Sequence, residues 1–296
     1  MPVVVHAPAK LNIDLRILGQ RSDGYHELRT LFQSISLHDT LRLARRPGPM
    51  AVTSRMQAVP RDEANLVWRA AKALWDSVGH RGEPEGVAVA ITKRIPLAGG
   101  LGGGSSDAAS ALRGLCLLWD LSPSMKRLQE LAATVGADVP YFLTGGLALG
   151  TGRGIRLRRL ADLDSHWVVL AVPGFGVPTA SAYAWFDRDS RDARIPTASL
   201  PRGWRGQLDL LHNDLQAPVV IRYPGVGAMV ERLRATGAVH AAMTGSGSTV
   251  FALYRHKADA VAARRAVRLP GWRTILSWTV GSVEFGRLST AGPRRS

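Results

Sequence analysis

The sequence predicts an α+β protein built as two domains, and three observations carry that reading. Strand-like runs, alternating or continuously apolar, are interspersed with segments whose apolar residues recur every three to four positions, as on helices. The chain has 296 residues, and a single hydrophobic core stops growing at about 250–300 residues. Finally, the composition changes around Leu160 to His166, which predicts domains over 1–160 and 161–285, with a mobile tail over 286–296.

Each element has its own signal. Val3 to Val5 and Leu11 to Leu18 predict a strand pair, and Leu28 to Leu43 predicts more strand. The Arg- and Pro-bearing stretch from Arg45 to Pro60 reads as turns. Over Glu63 to Val78, Leu66, Val67, Ala70, Ala71 and Leu74 line one helical face, and Gly79 is a stop. Gly86 to Thr92 is a compact strand. A helix then opens near Ser105 or Ser106, either of which is a suitable N-cap, with Ala108, Ala111, Leu112, Leu115 and Leu118 on its apolar face. A further helix runs from about Ser122–Pro123 to Gly136, and GGLALGTGRG reads as a hairpin. In the second half, Trp167 to Val172 is a buried strand, AAMTGSGSTVFALY is a glycine turn feeding a strand, and Lys257 to Arg268 is a helix.

Composition narrows the function classes. A 46% hydrophobic and 21% charged chain is globular rather than disordered. The one cysteine, Cys116, excludes an intramolecular disulfide and a cysteine-rich zinc site, and fits a reducing compartment. No apolar stretch approaches the roughly 20 residues that span a bilayer, and Pro8, Lys10 and Asn12 interrupt any signal-peptide core. A soluble, cytoplasmic protein without a membrane partner is expected. The net charge of +15 comes chiefly from arginine, with only five lysines in the chain. On charge alone a nucleic-acid partner is conceivable. The arginines are dispersed, however, and no aromatic-and-basic recognition motif accompanies them, so no nucleic-acid partner is expected. The same field favours an anionic small substrate. Oligomeric state is open between monomer and homodimer.

The most unusual segment is Pro96, Leu97, Ala98, Gly99, Gly100, Leu101, Gly102, Gly103, Gly104, Ser105, Ser106, with five glycines in six residues directly before a helix. Glycines give backbone amides clearance to approach phosphate oxygens, and a helix N-terminus adds its dipole. A flexible turn explains one or two glycines but not this density. No lysine follows Gly104, so the Walker pattern is absent. The G-x-G-x-x-G fingerprint fails in every register, and the protein-kinase motifs are missing. A different class of phosphoryl transferase is implied.

PLAGGLGGGSSDAA resembles the second motif of the GHMP kinases, P-x-x-x-G-L-G-S/G-S-S. The opening PAKLN, followed by G-x-R-x-DGYHE-L-x-T-x-FQ, is similar to one family among them, the 4-diphosphocytidyl-2-C-methyl-D-erythritol kinases. The similarity continues through VGADVPYFL, PGFGVPTASAY, HNDL and TGSGSTVFALY, to about residue 285. It implies a GHMP kinase fold with a mixed-sheet N-terminal domain carrying the ATP loop and a ferredoxin-like C-terminal domain. It also implies ATP-dependent phosphorylation of the 2-hydroxyl of 4-diphosphocytidyl-2-C-methyl-D-erythritol, a step towards isoprenoid precursors.

The resemblance sorts the candidate residues. Asp138, in a turn between Gly136 and Pro140, reads alone as a turn former; the family match makes it the catalytic base. Lys10, flanked by Ala9 and Leu11, is the expected catalytic partner, stabilising alkoxide and phosphoryl charge. Asn12 shares its strand face and is expected to bind the same substrate. Tyr25 and His26 follow the Asp23–Gly24 turn and are expected to hold the cytosine ring. Thr179 is a weaker candidate for the cytidine part. Asn65 is a possible adenine or ribose contact, although a helix-start asparagine needs no function. Lys93 faces either the nucleotide or solvent. Mg2+ is expected beside ATP, with Ser105, Ser106 and Asp138 as available oxygen ligands, and the turn Thr244 to Gly247 is expected to close over the phosphate region.

Overall fold

The computed structural model describes residues 1–189 and 198–290, and the backbone of 292–293. The chain opens with two long antiparallel strands, β1 (Val3–Gln20) and β2 (His26–Pro49). Next come β3 (Ala51–Ser54), α1 (Leu66–Ser77) and β4 (Glu85–Thr92). Helices α2 (Gly103–Leu118), α3 (Met125–Val135) and α4 (Tyr141–Thr144) lead to the hairpin β5 (Leu147–Gly152) and β6 (Arg156–Arg159). The second half comprises β7 (Trp167–Pro173), α5 (Thr179–Asp189), α6 (Gln216–Arg222), α7 (Pro224–Arg234), β8 (His240–Met243), β9 (Val250–Tyr254), α8 (Lys257–Ala266), β10 (Trp272–Val280), α9 (Ser282–Ser289) and β11 (Gly292–Pro293).

β2 organises the N-terminal half. One edge follows β1 for most of its length, while the other is shared between β5 at Leu28–Gln33 and β4 from Thr40 onward. β3 adds parallel to β4, so the sheet is mixed, as expected. Helices α1, α2 and α3 bury Leu74, Leu112, Leu115 and Leu131 against Val5, Leu41, Leu43 and Val89 of the sheet. Burial at this density is the main favourable term holding the layer.

The C-terminal half has strands in the order β10-β7-β9-β8. Read in chain order, that is fourth-first-third-second, the ferredoxin-like arrangement, with helices in the two crossovers. It joins the first half where Thr279 and Val280 of β10 pair with Ile35 and Ser34 of β2. Leu15 and Ile17 of β1 also bury against Val219 and Met243 of the second half.

Three expectations are corrected. The stretch Arg45–Pro60 is not all turn: β2 runs to Pro49 and β3 follows. Prolines are tolerated there because β1 has already left β2 at Leu43, so no donor is required on that side. Helix α2 begins at Gly103, not after a serine cap. Gly102 is the N-cap, with φ +71°, and Ser105 and Ser106 lie in the first turn. The segment 286–296 begins inside α9, where Ser289 is buried; residues 291 and 294–296 lie outside the described residues.

Candidate active site

A cavity of about 1000 Å³ opens between the glycine-rich segment, the middle of β1, the start of β2, and α5. Its volume stands at the top of the range usual for one small-molecule site. The glycine segment from Pro96 to Ser105 forms one wall, and Tyr25, His26, Arg153, Thr179 and Tyr183 form another. Lys10, Asn12 and Asp138 also line the cavity.

The glycine wall is shaped from behind as much as from in front. A Cβ on Gly100, whose φ is +76°, would overlap the Thr244 carbonyl oxygen; one on Gly99 would lie 2.6 Å from Thr249 Oγ1. One on Gly102 would lie 2.8 Å from the Phe142 ring. These glycines let the loop nest against the turn Thr244–Gly247 and α4. Gly104 differs: its Cβ would meet only Leu66, at 3.6 Å, so packing does not demand a glycine there. The N–H groups of Gly103, Gly104 and Ser105 precede the first intrahelical bond, Ser106 N to Gly102 O at 2.9 Å. Unpaired amides and the positive end of the helix dipole together favour an anion.

Lys10 is buried in β1, with its ammonium 3.3 Å from Asp138 Oδ2. It also donates to Asn12 Oδ1, whose residue faces the same way along the strand. Asn12 is fixed in turn: its Nδ2 donates to Thr30 Oγ1 at 2.7 Å, and its backbone N donates to Thr244 Oγ1 at 2.9 Å. Asp138 sits in the turn between α3 and α4 with its carboxylate about one-third exposed, open to the cavity.

On the opposite wall Tyr25 is 55% exposed, with the Arg153 guanidinium 4.0 Å above its ring. His26 stacks on Tyr183 at 4.8 Å and pairs through Nε2 with Asp187 at 2.7 Å. Thr179, Tyr183 and Asp187 follow one another at intervals of four along α5 and so present one face. Burial drives the Tyr183 hydroxyl to a higher pKa, with the Asp138 charge adding to it, which keeps the phenol protonated.

Two expected site residues do not line this cavity. Asn65 is the N-cap of α1, accepting from Val67 N at 2.9 Å and donating to Pro60 O at 2.7 Å. Ser106 is fully buried and its hydroxyl donates to Pro8 O at 2.7 Å, away from the cavity. Lys93 neither lines the cavity nor faces solvent. It is buried beneath the loop, donating to Asp39 and, at 2.7 Å, to Asp107. Burial opposes its charge, but the two carboxylates outweigh that and raise its pKa. Burial pushes the Asp107 carboxyl up to about 7 against the pull of Lys93. Asp39 also accepts from the Arg94 and Ile95 amides, so the cluster anchors the entry to the glycine segment.

Sequence reasoning missed Arg153, Tyr183 and Asp187. The four-residue spacing from Thr179 through Tyr183 to Asp187 was the available signal; Arg153 had none beyond its glycine-flanked hairpin. Among the described residues there is no cluster of three or more His, Cys, Asp or Glu able to hold a metal ion.

This combination, a helix start with unpaired amides beside a buried lysine and its partly exposed aspartate partner, on a mixed sheet joined to a ferredoxin-like layer, is that of a GHMP kinase. Residues 65–146 match the GHMP kinases N terminal domain and residues 201–271 match the GHMP kinases C terminal domain. A Geobacter sulfurreducens protein, 4-diphosphocytidyl-2-C-methyl-D-erythritol kinase, is 38% identical over 91% of this chain and 96% of its own. A Gloeobacter violaceus protein of the same name is 42% identical over 88% of each chain. The crystal structure of a 4-(cytidine 5'-diphospho)-2C-methyl-D-erythritol kinase superposes with a TM-score of 0.79 at 35% identity, over 94% of this chain and 99% of that one. The chain belongs to the 4-diphosphocytidyl-2-C-methyl-D-erythritol kinase family.

Proposed function

We infer that the protein transfers the γ-phosphoryl group of ATP to the 2-hydroxyl of 4-diphosphocytidyl-2-C-methyl-D-erythritol. The observation that carries the reading is the Lys10–Asp138 pair, which shares one cavity with the start of α2 and the aromatic wall of Tyr25, His26 and Tyr183. The triphosphate of ATP lies along the amides of Gly103, Gly104 and Ser105. The cytosine ring lies against Tyr25 and His26, with Thr179 and Tyr183 of α5 on the same wall.

Asp138 takes the proton from the acceptor hydroxyl as its oxygen bonds to the γ-phosphorus, and the bond from that phosphorus to the β-bridging oxygen breaks to release ADP. Lys10 has three donors. Asn12 and Asp138 engage two, and the third serves the developing charge on the alkoxide or the moving phosphoryl. Asn12, held by Thr30 and Thr244, fixes the height of the ammonium rather than reacting itself. The nesting of the loop on the Thr244–Gly247 turn orders the phosphate site before ATP arrives, so less ordering entropy is lost on binding.

Mg2+ fits this donor set. It keeps most of its waters and commonly binds one or two protein oxygens plus phosphates, so no protein cage is needed. Asp138 and the Ser105 hydroxyl would hold it; Ser106, with its hydroxyl turned to Pro8, would not. When bound, the ion neutralises charge on the β- and γ-phosphates. No helix of the described residues is long and apolar enough to cross a membrane, and we place the activity in the cytoplasm, where ATP is supplied.

The test is Asp138→Asn. Turnover should fall by about 10²–10⁴, the usual contribution of a positioned base, while ATP affinity stays within a few-fold. Retained turnover would remove Asp138 from this role.

A further inference from the structure

We propose that Asp187 is a positioning residue that sets which face of a pyrimidine His26 can read, and so contributes to choosing cytosine over uracil. The inference rests on the reading above that His26 meets the substrate base, and it goes beyond it to a residue outside every motif in the sequence.

The chemistry follows from one hydrogen bond. His26 Nε2 lies 2.7 Å from Asp187 Oδ1. An ionised carboxylate only accepts, so Nε2 carries the hydrogen. In the neutral ring Nδ1 is then a lone-pair acceptor, and it has no hydrogen-bond partner among the described residues. The ring cannot turn freely to offer its other nitrogen. Tyr183 stacks on it at 4.8 Å and 25°, and Phe186 meets it edge-on at 6.5 Å. Both aromatic residues stand on α5 beside Asp187, so one helix supplies the carboxylate and the aromatic packing around the imidazole. The imidazole is largely enclosed, with 11% of its side-chain surface exposed, yet His26 lines the cavity.

An acceptor at that position matches cytosine, whose exocyclic N4 amino group donates. It opposes uracil, which presents the O4 acceptor at the same place. Discrimination of this kind can be strong, because the wrong base leaves two acceptors facing each other in a partly enclosed site.

The experiment compares the intact enzyme with Asp187→Ala and Asp187→Glu. Steady-state kinetics are run on the cytidyl substrate and on its uridyl analogue. In Asp187→Ala the KM for the cytidyl substrate should rise about tenfold, the worth of one good hydrogen bond, with kcat and the KM for ATP within about twofold. The preference for the cytidyl over the uridyl substrate should shrink by a similar factor, and Asp187→Glu should recover part of both. Nitrogen-15 shifts of the His26 imidazole should show hydrogen on Nε2 in the intact enzyme and a mixture of tautomers in Asp187→Ala. In a His26→Ala background, adding Asp187→Ala should change nothing further.

An intact enzyme that uses the cytidyl substrate, paired with an Asp187→Ala variant of unchanged KM and unchanged base preference, overturns the proposal alone. An equal loss from Asp187→Ala in the presence and absence of His26 does the same. An intact enzyme with no turnover of the cytidyl substrate overturns the reading of the substrate, and the proposal falls with it.

Discussion

Gly100 and Gly104 lie four residues apart in the same loop, yet the geometry assigns them different work. In Gly100→Ala the new methyl must occupy a residue whose φ is +76°, and it overlaps the carbonyl oxygen of Thr244. Left-handed backbone costs a non-glycine residue about 1–2 kcal/mol. Overpacking against a backbone atom that cannot rotate away adds about 1–3 kcal/mol. The sum, about 3 kcal/mol, corresponds to a Tm lower by roughly 6–12 °C for a protein of this size. The loop and the Thr244–Gly247 turn must also part, so ATP binding weakens with stability. Gly104→Ala lies in helical backbone with its nearest neighbour 3.6 Å away. Helix propensity favours alanine there by up to about 1 kcal/mol, so Tm should hold or rise. The methyl nonetheless enters the space where we place the triphosphate, so the KM for ATP should increase by about tenfold or more. Differential scanning calorimetry paired with ATP titration separates the two. Equal destabilisation by both variants, or a Gly100→Ala protein with unchanged Tm, would refute the division between glycines for packing and a glycine for ligand.

Lys93→Met should lower stability by about 3–5 kcal/mol in a urea titration, because Asp39 and Asp107 would be left buried without their cation. His240 gives a pH dependence. Burial lowers its pKa to about 4, below the ordinary 6.5, so between those values the unfolded chain takes a proton that the folded one refuses. That stability is whole above about pH 6.5 and falls as pH drops towards 4, by about 3 kcal/mol in all. His240→Gln should flatten this part of the denaturation midpoint against pH, and an unchanged slope would show that another group governs it. Lys10→Met should lower kcat by at least about 10²-fold while near-neutral for ATP binding, since the loop amides rather than the ammonium hold the β-phosphate; a selective rise in the KM for ATP would contradict that division.

Much of this was legible from residue patterns. The periodicity of α1 located that helix, the glycine density before α2 located one wall of the cavity, and Lys10 and Asn12 share a strand face as their spacing requires. What escaped has physical reasons. Lys93 gives no sign in the sequence that it is buried, because its partners Asp39 and Asp107 come from β2 and α2 and meet it only in three dimensions. A glycine-rich loop likewise does not reveal which glycines face a ligand. Gly99, Gly100 and Gly102 answer to Thr249, Thr244 and Phe142, residues far along the chain. Serine beside glycine was read as a cap, but Gly102 in left-handed backbone starts the helix, which frees Ser105 for the cavity and sends Ser106 to Pro8. The hairpin GGLALGTGRG is readable from its glycines, but only the turn between β5 and β6 in three dimensions brings Arg153 over Tyr25.

The most direct test offers the purified protein ATP and Mg2+ with 4-diphosphocytidyl-2-C-methyl-D-erythritol, mevalonate or homoserine, and follows ADP release. The account predicts turnover with the cytidyl substrate alone, giving the 2-phosphate. Turnover with mevalonate or homoserine and none with the cytidyl compound would keep the kinase chemistry of Lys10 and Asp138 and contradict the assignment of the Tyr25–His26 wall to a base.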